Sequence, residues 1–210
     1  MKGRSHVLAT IGLIAVLTAC GDAKDANDRN FSKALDRYLE TQSQCIRLPI
    51  EALPGSIETE SNGLRMGGAT SIERLDALAE AGALTATDAL ESRKQLFGGE
   101  REVAVRRYDL SAGTEQATSD KAGTSRPQLC YGQPALGKIV RFTDPSDMMG
   151  MKISQVVYTT QLTAVPAWAK QEGVQRVWPE IAEAQDEDKH HNDVLILTNE
   201  GWIHEKMMDQ

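Results

Sequence analysis

Side chains that could bind a metal are concentrated near the C-terminus, in the run from Asp186 to Asp193. Imidazoles and carboxylates together are ligands that transition metals accept. The adjacent His190 and His191 would point in different directions on either a helix or a strand, and no His-x-x-x-His or His-Glu-x-x-His spacing is present. We therefore predict that this run is a solvated loop and that the chain has no metal site.

A second candidate for chemistry is His204, which stands beside Glu205. This pair could act in acid–base catalysis only if the fold brought a nucleophile to it. The sequence contains no Gly-x-Ser-x-Gly elbow, no Ser-x-x-Lys motif and no Walker loop, and Gly67-Gly68 and Gly98-Gly99 are isolated pairs. We expect no catalytic residue, no cofactor and no enzymatic activity.

The N-terminus has the pattern of an export signal. Lys2 and Arg4 precede an apolar run from Val7 to Leu17, which is short for a membrane-spanning helix. The following Leu17-Thr18-Ala19-Cys20 resembles the lipobox of bacterial lipoproteins, with Ala19 before the cleavage site. The resemblance implies that residues 1–19 are a signal peptide and that Cys20 is the first mature residue, with a thioether-linked diacylglyceryl group and further acylation.

The resemblance also predicts where the protein works: lipid-anchored in the bacterial cell envelope. Gly21 occupies the position where an Asp resembles an inner-membrane retention signal, so the outer membrane, facing the periplasm, is favoured. A cleaved signal peptide without lipidation and an uncleaved anchor helix are the alternatives.

The charge of the chain restricts its partners. Loss of residues 1–19 removes Lys2 and Arg4 but no acid, so the 23 Lys and Arg become 21 against 30 Asp and Glu, a net charge of −9. Such an acidic domain lacks the basic face that phosphate contacts need, so we expect no nucleic-acid partner. The expected partners are membrane lipid, through the Cys20 anchor, and an envelope protein.

The other two cysteines, Cys45 and Cys130, form an even pair in an oxidising compartment, and we predict a disulfide between them. Two buried thiols or a reactive cysteine are the alternatives. No Cys-x-x-Cys motif supports a thiol-redox enzyme.

The chain divides into a tether at 20–29, a helical half at 30–127 and an α+β half at 128–210. Apolar residues at helical spacing predict a first helix from Asn30 to Ile46 that carries Cys45. A second helix is predicted with Ser71 as its cap and Gly82 at its C-terminal end. The second helix, its turn and the strand-like segment from Arg101 to Leu110 resemble a winged-helix domain over residues 30–115. An unrelated helical lobe is the alternative.

The C-terminal half is predicted to be an antiparallel sheet with one or two helices. Strands are indicated at 138–143, 151–162 and 194–198, and Asn199-Glu200-Gly201 is expected to turn the last of these into a hairpin with Trp202-Ile203-His204. Pro166 is placed to open a short helix. The predicted fold class is α+β, with the helical half packed on this sheet.

Four aromatic side chains are candidates for contact with a ligand or a partner. They are Trp168, Trp178, Trp202 and Tyr158. Large aromatics most often build the core, and the alternative is an apolar groove for a peptide, glycan or lipid.

Three functions are compatible with these patterns. The leading hypothesis is a lipid-anchored envelope protein that binds another protein or stabilises an assembly. The second is a carrier of a small ligand or lipid, with a pocket between the sheet and the segment from Pro166 to Ile181. The third is an immunity-like inhibitor whose acidic surface suits a basic toxin.

Overall fold

The computed structural model describes residues 22–59, 70–94, 98–114, 116–118 and 126–208. The signal-peptide segment and Cys20 lie outside these ranges. Within them, none of the helices has the length and hydropathy that a bilayer crossing requires.

Within these ranges the chain forms four α-helices and ten strands. In order, the elements are α1 (Asp28–Glu40), β1 (Gln44–Arg47), β2 (Gly55–Glu58), α2 (Ser71–Glu80), β3 (Leu84–Lys94), β4 (Glu100–Leu110), β5 (Gln116–Thr118), β6 (Pro127–Phe142), β7 (Ser146–Met148), β8 (Met151–Thr163), α3 (Glu172–Val177), α4 (Pro179–Ala184), β9 (His190–Thr198) and β10 (Gly201–His204). Single 3₁₀ turns occur at Ala167–Lys170 and Glu205–Met207.

Two antiparallel sheets organise the molecule. The larger sheet has seven strands, in the order β1-β6-β8-β9-β10, with β5 paired to β6 and β7 paired to β8. The smaller sheet has three strands in the order β2-β4-β3. The predicted α+β class is therefore confirmed, with antiparallel strands dominant.

Helix α1 lies along β6 of the larger sheet. The Asn27 side chain accepts a hydrogen bond from the Asn30 backbone N–H at 2.9 Å and caps the helix. Phe31, near the start of the helix, packs edge-on against Phe142 at a centroid distance of 4.8 Å. At the other end, the Gln133 side-chain amide donates to the Leu39 carbonyl oxygen at 2.5 Å. The helix therefore starts at the Phe142 end of β6 and finishes near Gln133.

The buried face of α1 forms one of two hydrophobic cores, which we name the first-helix core. The apolar residues of α1 recur at the helical period, so a helix places them all on the face that packs against the sheet. The members are Phe31, Ala34, Leu35, Tyr38, Leu39, Val156, Tyr158, Leu195 and Trp202. Residues from both halves of the sequence therefore share one interior.

The second core lies between the two sheets, at the Pro127 end of β6, and is named the two-sheet core. Helix α2 enters it with Leu75 and Leu78, which are fully buried. The helix begins with a capping box, in which Thr70 and Glu73 satisfy each other's backbone N–H groups. It stops at Gly82, whose φ of +83° is the left-handed conformation that glycine adopts without strain.

A winged-helix-like N-terminal half is not supported. Such a half would pack its helices together, but α1 is in the first-helix core and α2 is in the two-sheet core. The helix, turn and strand pair that suggested the resemblance are present locally as α2, Gly82 and the β3–β4 hairpin. Helix α2 packs against α3, which comes from the C-terminal half, and sequence proximity does not reveal this partner.

Two local predictions also differ from the structure. The first helix ends at Glu40, so Cys45 lies on β1 and not on that helix. The acidic run was predicted to be a loop as far as Asp193, but β9 already begins at His190. Seven residues of β9 pair with β8, from His190 with Thr159 to Ile196 with Ile153, and this pairing overrides the polar local composition.

The first described residues are held against the body of the protein. The Asn30 side-chain amide donates to the carbonyl oxygens of Asp22 at 2.8 Å and Asp25 at 2.9 Å. The Trp202 indole N–H donates to the Lys24 carbonyl oxygen at 3.1 Å. A Cβ at Gly201 would come within 3.0 Å of the Ala23 carbonyl oxygen, so glycine allows this close approach. The segment predicted as a tether is thus docked from Asp22 onward.

The two ends of β6 define two ends of the molecule. The strand has 16 residues, and at the usual rise it extends roughly 50 Å before bulges shorten it. The docked N-terminal segment lies near its Phe142 end, which we call the N-terminal end. The three-stranded sheet packs near its Pro127 end, which we call the distal end.

Candidate functional site

The most connected polar group in the interior is centred on Asp193. Its carboxylate accepts a hydrogen bond of 2.5 Å from the Tyr158 hydroxyl and lies 3.3 Å from the His204 Nε2. The contact with His204 is at ion-pair distance rather than in good hydrogen-bond alignment. These three residues come from β8, β9 and β10, which are adjacent strands. The register of the sheet, and not proximity in sequence, assembles them.

His204 is fixed from three sides. Its Nδ1 accepts the backbone N–H of Lys206 at 3.1 Å, so in the neutral ring the proton resides on Nε2 and faces Asp193. The ring stacks on Tyr38 of α1, with centroids 3.5 Å apart and planes 9° from parallel. Lys206 then donates from Nζ to the Tyr38 hydroxyl at 3.3 Å. We call Tyr38, Tyr158, Asp193, His204 and Lys206 the Asp193 network.

The charge state of the network follows from these contacts. The His204 and Tyr158 partners hold the Asp193 carboxyl pKa down at about 2, despite partial burial. Burial is the main cause that raises the pKa of the Tyr158 hydroxyl, and the Asp193 carboxylate adds to the effect. Asp193 is thus an anion and Tyr158 a neutral donor over the ordinary pH range.

This network resembles acid–base machinery, but its two rings from β8 and β10 are buried, whereas Asp193 is partly exposed and Lys206 is exposed. His204 has 0 % of its surface exposed and Tyr158 has 2 %. A general acid or base must come within hydrogen-bond reach of its substrate, and the buried His204 ring is not exposed to one in this structure. The arrangement instead ties α1 to three strands of the larger sheet.

A small cleft lies between α4 and the larger sheet. Its volume is about 220 Å³, and its walls include Tyr131, Leu162, Glu180, Glu183 and His191. The His191 Nε2 is 3.0 Å from the Thr160 hydroxyl, and burial lowers the pKa of this imidazole. The cleft is smaller than the usual ligand pocket of about 300–1,000 Å³, and its polar rim is mainly acidic. Its chemistry suits a small polar or cationic ligand.

The four aromatic residues predicted as contact candidates are in the interior. Trp168 and Trp178 belong to the two-sheet core, and Trp202 and Tyr158 belong to the first-helix core. The most exposed of them, Trp168, has 7 % of its surface accessible. None of the four lines the cleft beside α4. The structure therefore does not bring them together in one groove.

The predicted disulfide between Cys45 and Cys130 is confirmed. The two residues are directly opposite each other on β1 and β6. The bridge therefore fastens the strand that follows α1 to the long central strand. Cys20, the predicted lipidation site, lies outside the described residues.

The histidines of the acidic run do not converge with other ligands. His190 is exposed, and His191 faces the cleft beside Thr160. Within the described ranges, no three His, Cys, Asp or Glu side chains come together in a way that could hold a metal ion.

The outer edge of β3 is a feature that the sequence did not predict. This strand has 11 residues, and no other strand in the described part of the chain pairs with its outer edge. Leu90 on this strand has 68 % of its surface exposed. An edge strand of this length presents backbone N–H and C=O groups that can pair with another chain. Its Asp, Ala, Glu and Lys residues have low strand propensity, and the pairing with β4 along the whole strand offsets this.

Ion pairs join the two strands of the β3–β4 hairpin and link the hairpin to α2. Arg106 lies 2.6 Å from Asp76 of α2 and 3.0 Å from Asp88 of β3. The Asp76 carboxylate also accepts a hydrogen bond of 2.8 Å from the Tyr108 hydroxyl. Arg107 lies 2.9 Å from Glu91 across the hairpin. The hairpin is thus held to α2 through Asp76.

Comparison with known proteins adds no relative. No family model, no curated protein and no solved structure matches this chain. The candidate sites are therefore the outer edge of β3 and the cleft beside α4, and their function is argued from their geometry.

Proposed function

We propose that this protein is a lipid-anchored, periplasm-facing component of the bacterial cell envelope that binds another envelope protein through the outer edge of β3. The lipobox resemblance at Leu17 to Cys20 supports the anchor and the compartment. The role is non-catalytic, in keeping with the closed environment of His204.

The observation that carries the proposal is the open edge of β3 at the distal end. An extended segment of a partner can add to such an edge, with main-chain hydrogen bonds giving affinity and side-chain contacts giving specificity. The exposed Leu90 offers an apolar contact beside that edge. The distal end is opposite the docked segment that begins at Asp22, so an anchor at Cys20 would leave the edge facing away from the membrane.

The test is photocrosslinking in cells with the full-length lipoprotein. A photoreactive amino acid at Leu90 should give one abundant adduct with an envelope protein, and mass spectrometry would identify it. The matched control places the same amino acid at Glu187, an exposed loop position. Intact mass in the same preparation reports the lipid on Cys20. Equal, diffuse labelling from both positions would refute the β3 interface.

The carrier hypothesis keeps one supporting observation, the cleft beside α4. The cleft lies between the larger sheet and α4, and Glu180 is the residue of the Pro166 to Ile181 segment that lines it. A gently purified protein with an added small-molecule mass, and no protein adduct from Leu90, would favour the carrier. Loss of that added mass on His191→Ala would assign it to the cleft.

A further inference from the structure

The turn between β7 and β8 is an apolar projection. The described residues include six exposed large apolar side chains, and three of them, Met148, Met149 and Met151, are in this hairpin. Met149 at the tip has 95 % of its surface exposed. Methionine is flexible and adapts to irregular apolar surroundings, and exposed apolar clusters mark contact sites. We call residues 148–151 the methionine tip.

The backbone of the methionine tip makes the identity of residue 149 unusual. Met149 has a φ of +52° and Gly150 has a φ of +81°, as a two-residue turn of the primed type requires. Asn, Asp or Gly is the usual first residue of such a turn, because other side chains are strained at positive φ. A long apolar side chain is therefore held at this position against the local backbone preference, and such strain points to a function.

The register of the larger sheet places the methionine tip at the N-terminal end. Ile153 of β8 pairs with Ile196 of β9, so Met151 is level with Thr198. Thr198 in turn pairs with Gly201, where the N-terminal segment passes. Only β9 separates β8 from β10, so the tip and the docked segment are about 10 Å apart in the plane of the sheet.

We propose that the methionine tip inserts into the lipid bilayer beside the anchor, as a second membrane contact that fixes the orientation of the protein. The inference rests on the proposed lipid anchor at Cys20. Asp22 follows Cys20 by two residues and is already held by Asn30, so an anchored chain has almost no slack there. The bilayer surface must then lie at the end of the sheet where the tip projects.

The charged residues around the methionine tip indicate which kind of lipid surface the tip would enter. Asp147 and Glu200 are exposed at this end of the sheet, and Lys152 is the cation that pairs across from Asp147. This mixed and partly acidic rim does not attract anionic lipid. The methionine side chains would therefore enter the bilayer through apolar contacts. They would reach the boundary between headgroups and acyl chains of a zwitterionic bilayer.

The experiment measures the depth of one introduced tryptophan. Full-length lipidated protein carrying Met149→Trp is reconstituted in phosphatidylcholine vesicles with brominated acyl chains. The fluorescence that the new tryptophan adds should be mostly quenched in brominated vesicles, compared with vesicles without bromine. The quenching should persist at high salt. The matched control is Leu90→Trp, an exposed position at the distal end, which should show no bromine-dependent loss. The three native tryptophans are buried and give a constant background.

The possible outcomes separate the two proposals. A protein that carries the lipid and stays on the vesicles, but whose Met149→Trp emission is not quenched, overturns the insertion and leaves the anchor intact. A protein whose intact mass lacks the lipid overturns the anchor, and the insertion with it. Equal quenching of Met149→Trp and Leu90→Trp overturns the fixed orientation, because both ends would then reach the bilayer.

Discussion

The indole N–H of Trp202 donates a hydrogen bond of 3.1 Å to the backbone carbonyl oxygen of Lys24, which lies 178 residues earlier in the chain. The remainder of the ring is buried in the first-helix core, where it packs edge-on against Phe31 at 4.9 Å. One side chain therefore both fills the core and fastens the N-terminal segment to β10. The hydrogen bond to Lys24 can be tested separately from the packing of the ring.

The first prediction concerns that segment. Trp202→Phe keeps an aromatic ring in the core but removes the donor to Lys24. We expect faster amide hydrogen exchange in residues 22–27 and a loss of global stability on the order of 1 kcal/mol, the net value of one hydrogen bond. The control is Trp178→Phe, which removes a 3.4 Å bond to the Arg74 carbonyl oxygen in the other core. Unchanged exchange in residues 22–27 of Trp202→Phe would contradict the prediction.

The second prediction concerns the pH dependence of stability. In the folded protein the Asp193 pKa is lowered from 3.8 to about 2, so the folded state binds this proton less readily than the unfolded state. The stabilisation is therefore complete above pH 3.8 and is lost as the pH falls toward 2. Asp193→Asn should lower the free energy of unfolding by about 2 kcal/mol at neutral pH and flatten its acid limb. Chemical denaturation at a series of pH values measures both effects.

Asp147→Asn is the matched control for that experiment. Asp147 is exposed on β7, so its substitution should leave the acid limb of the stability curve unchanged. If Asp193→Asn and Asp147→Asn gave the same curve, the Asp193 network would not be the source of the pH dependence.

The third prediction concerns the methionine tip. Met149→Asn places in the turn a residue that tolerates its positive φ, so we expect the free energy of unfolding to rise by about 0.5–1 kcal/mol. Met148→Asn, one position earlier and on β7, has no such strain to relieve and should give no gain. Thermal unfolding of both variants measures the difference. A Met149→Asn protein less stable than the wild type would show that the turn is not strained by this side chain.

The fourth prediction concerns the disulfide. Cys45 and Cys130 are separated by 85 residues, so their bond restricts a long loop in the unfolded chain. Replacement of both by Ser should lower the free energy of unfolding by about 2–4 kcal/mol. The wild type in reducing conditions should show a similar loss, and this comparison controls for the substitutions. Equal denaturation midpoints with and without the bond would contradict the prediction.

Local signals in the sequence determined several turns and helix ends and the disulfide of this protein. The end of α2 at Gly82 and the last hairpin at Asn199-Glu200-Gly201 were predicted from turn residues. The start of α2 was predicted to within one residue, since the cap is Thr70 and not Ser71. The pairing of Cys45 with Cys130 followed once Cys20 was assigned to the lipid. These predictions held because turn conformation, capping and thiol pairing depend on a few residue types close in sequence or few in number.

Only the tertiary structure decided which residues come together in the candidate sites. Strand β3 contains several residues of low strand propensity, and its pairing with β4 along all of its 11 residues offsets this. Asp193 meets Tyr158 and His204 because three strands align in one register. The methionine tip lies beside the N-terminal segment for the same reason. Strand pairing joins distant residues through backbone hydrogen bonds that any side chain permits, so the sequence of one strand does not specify its neighbour.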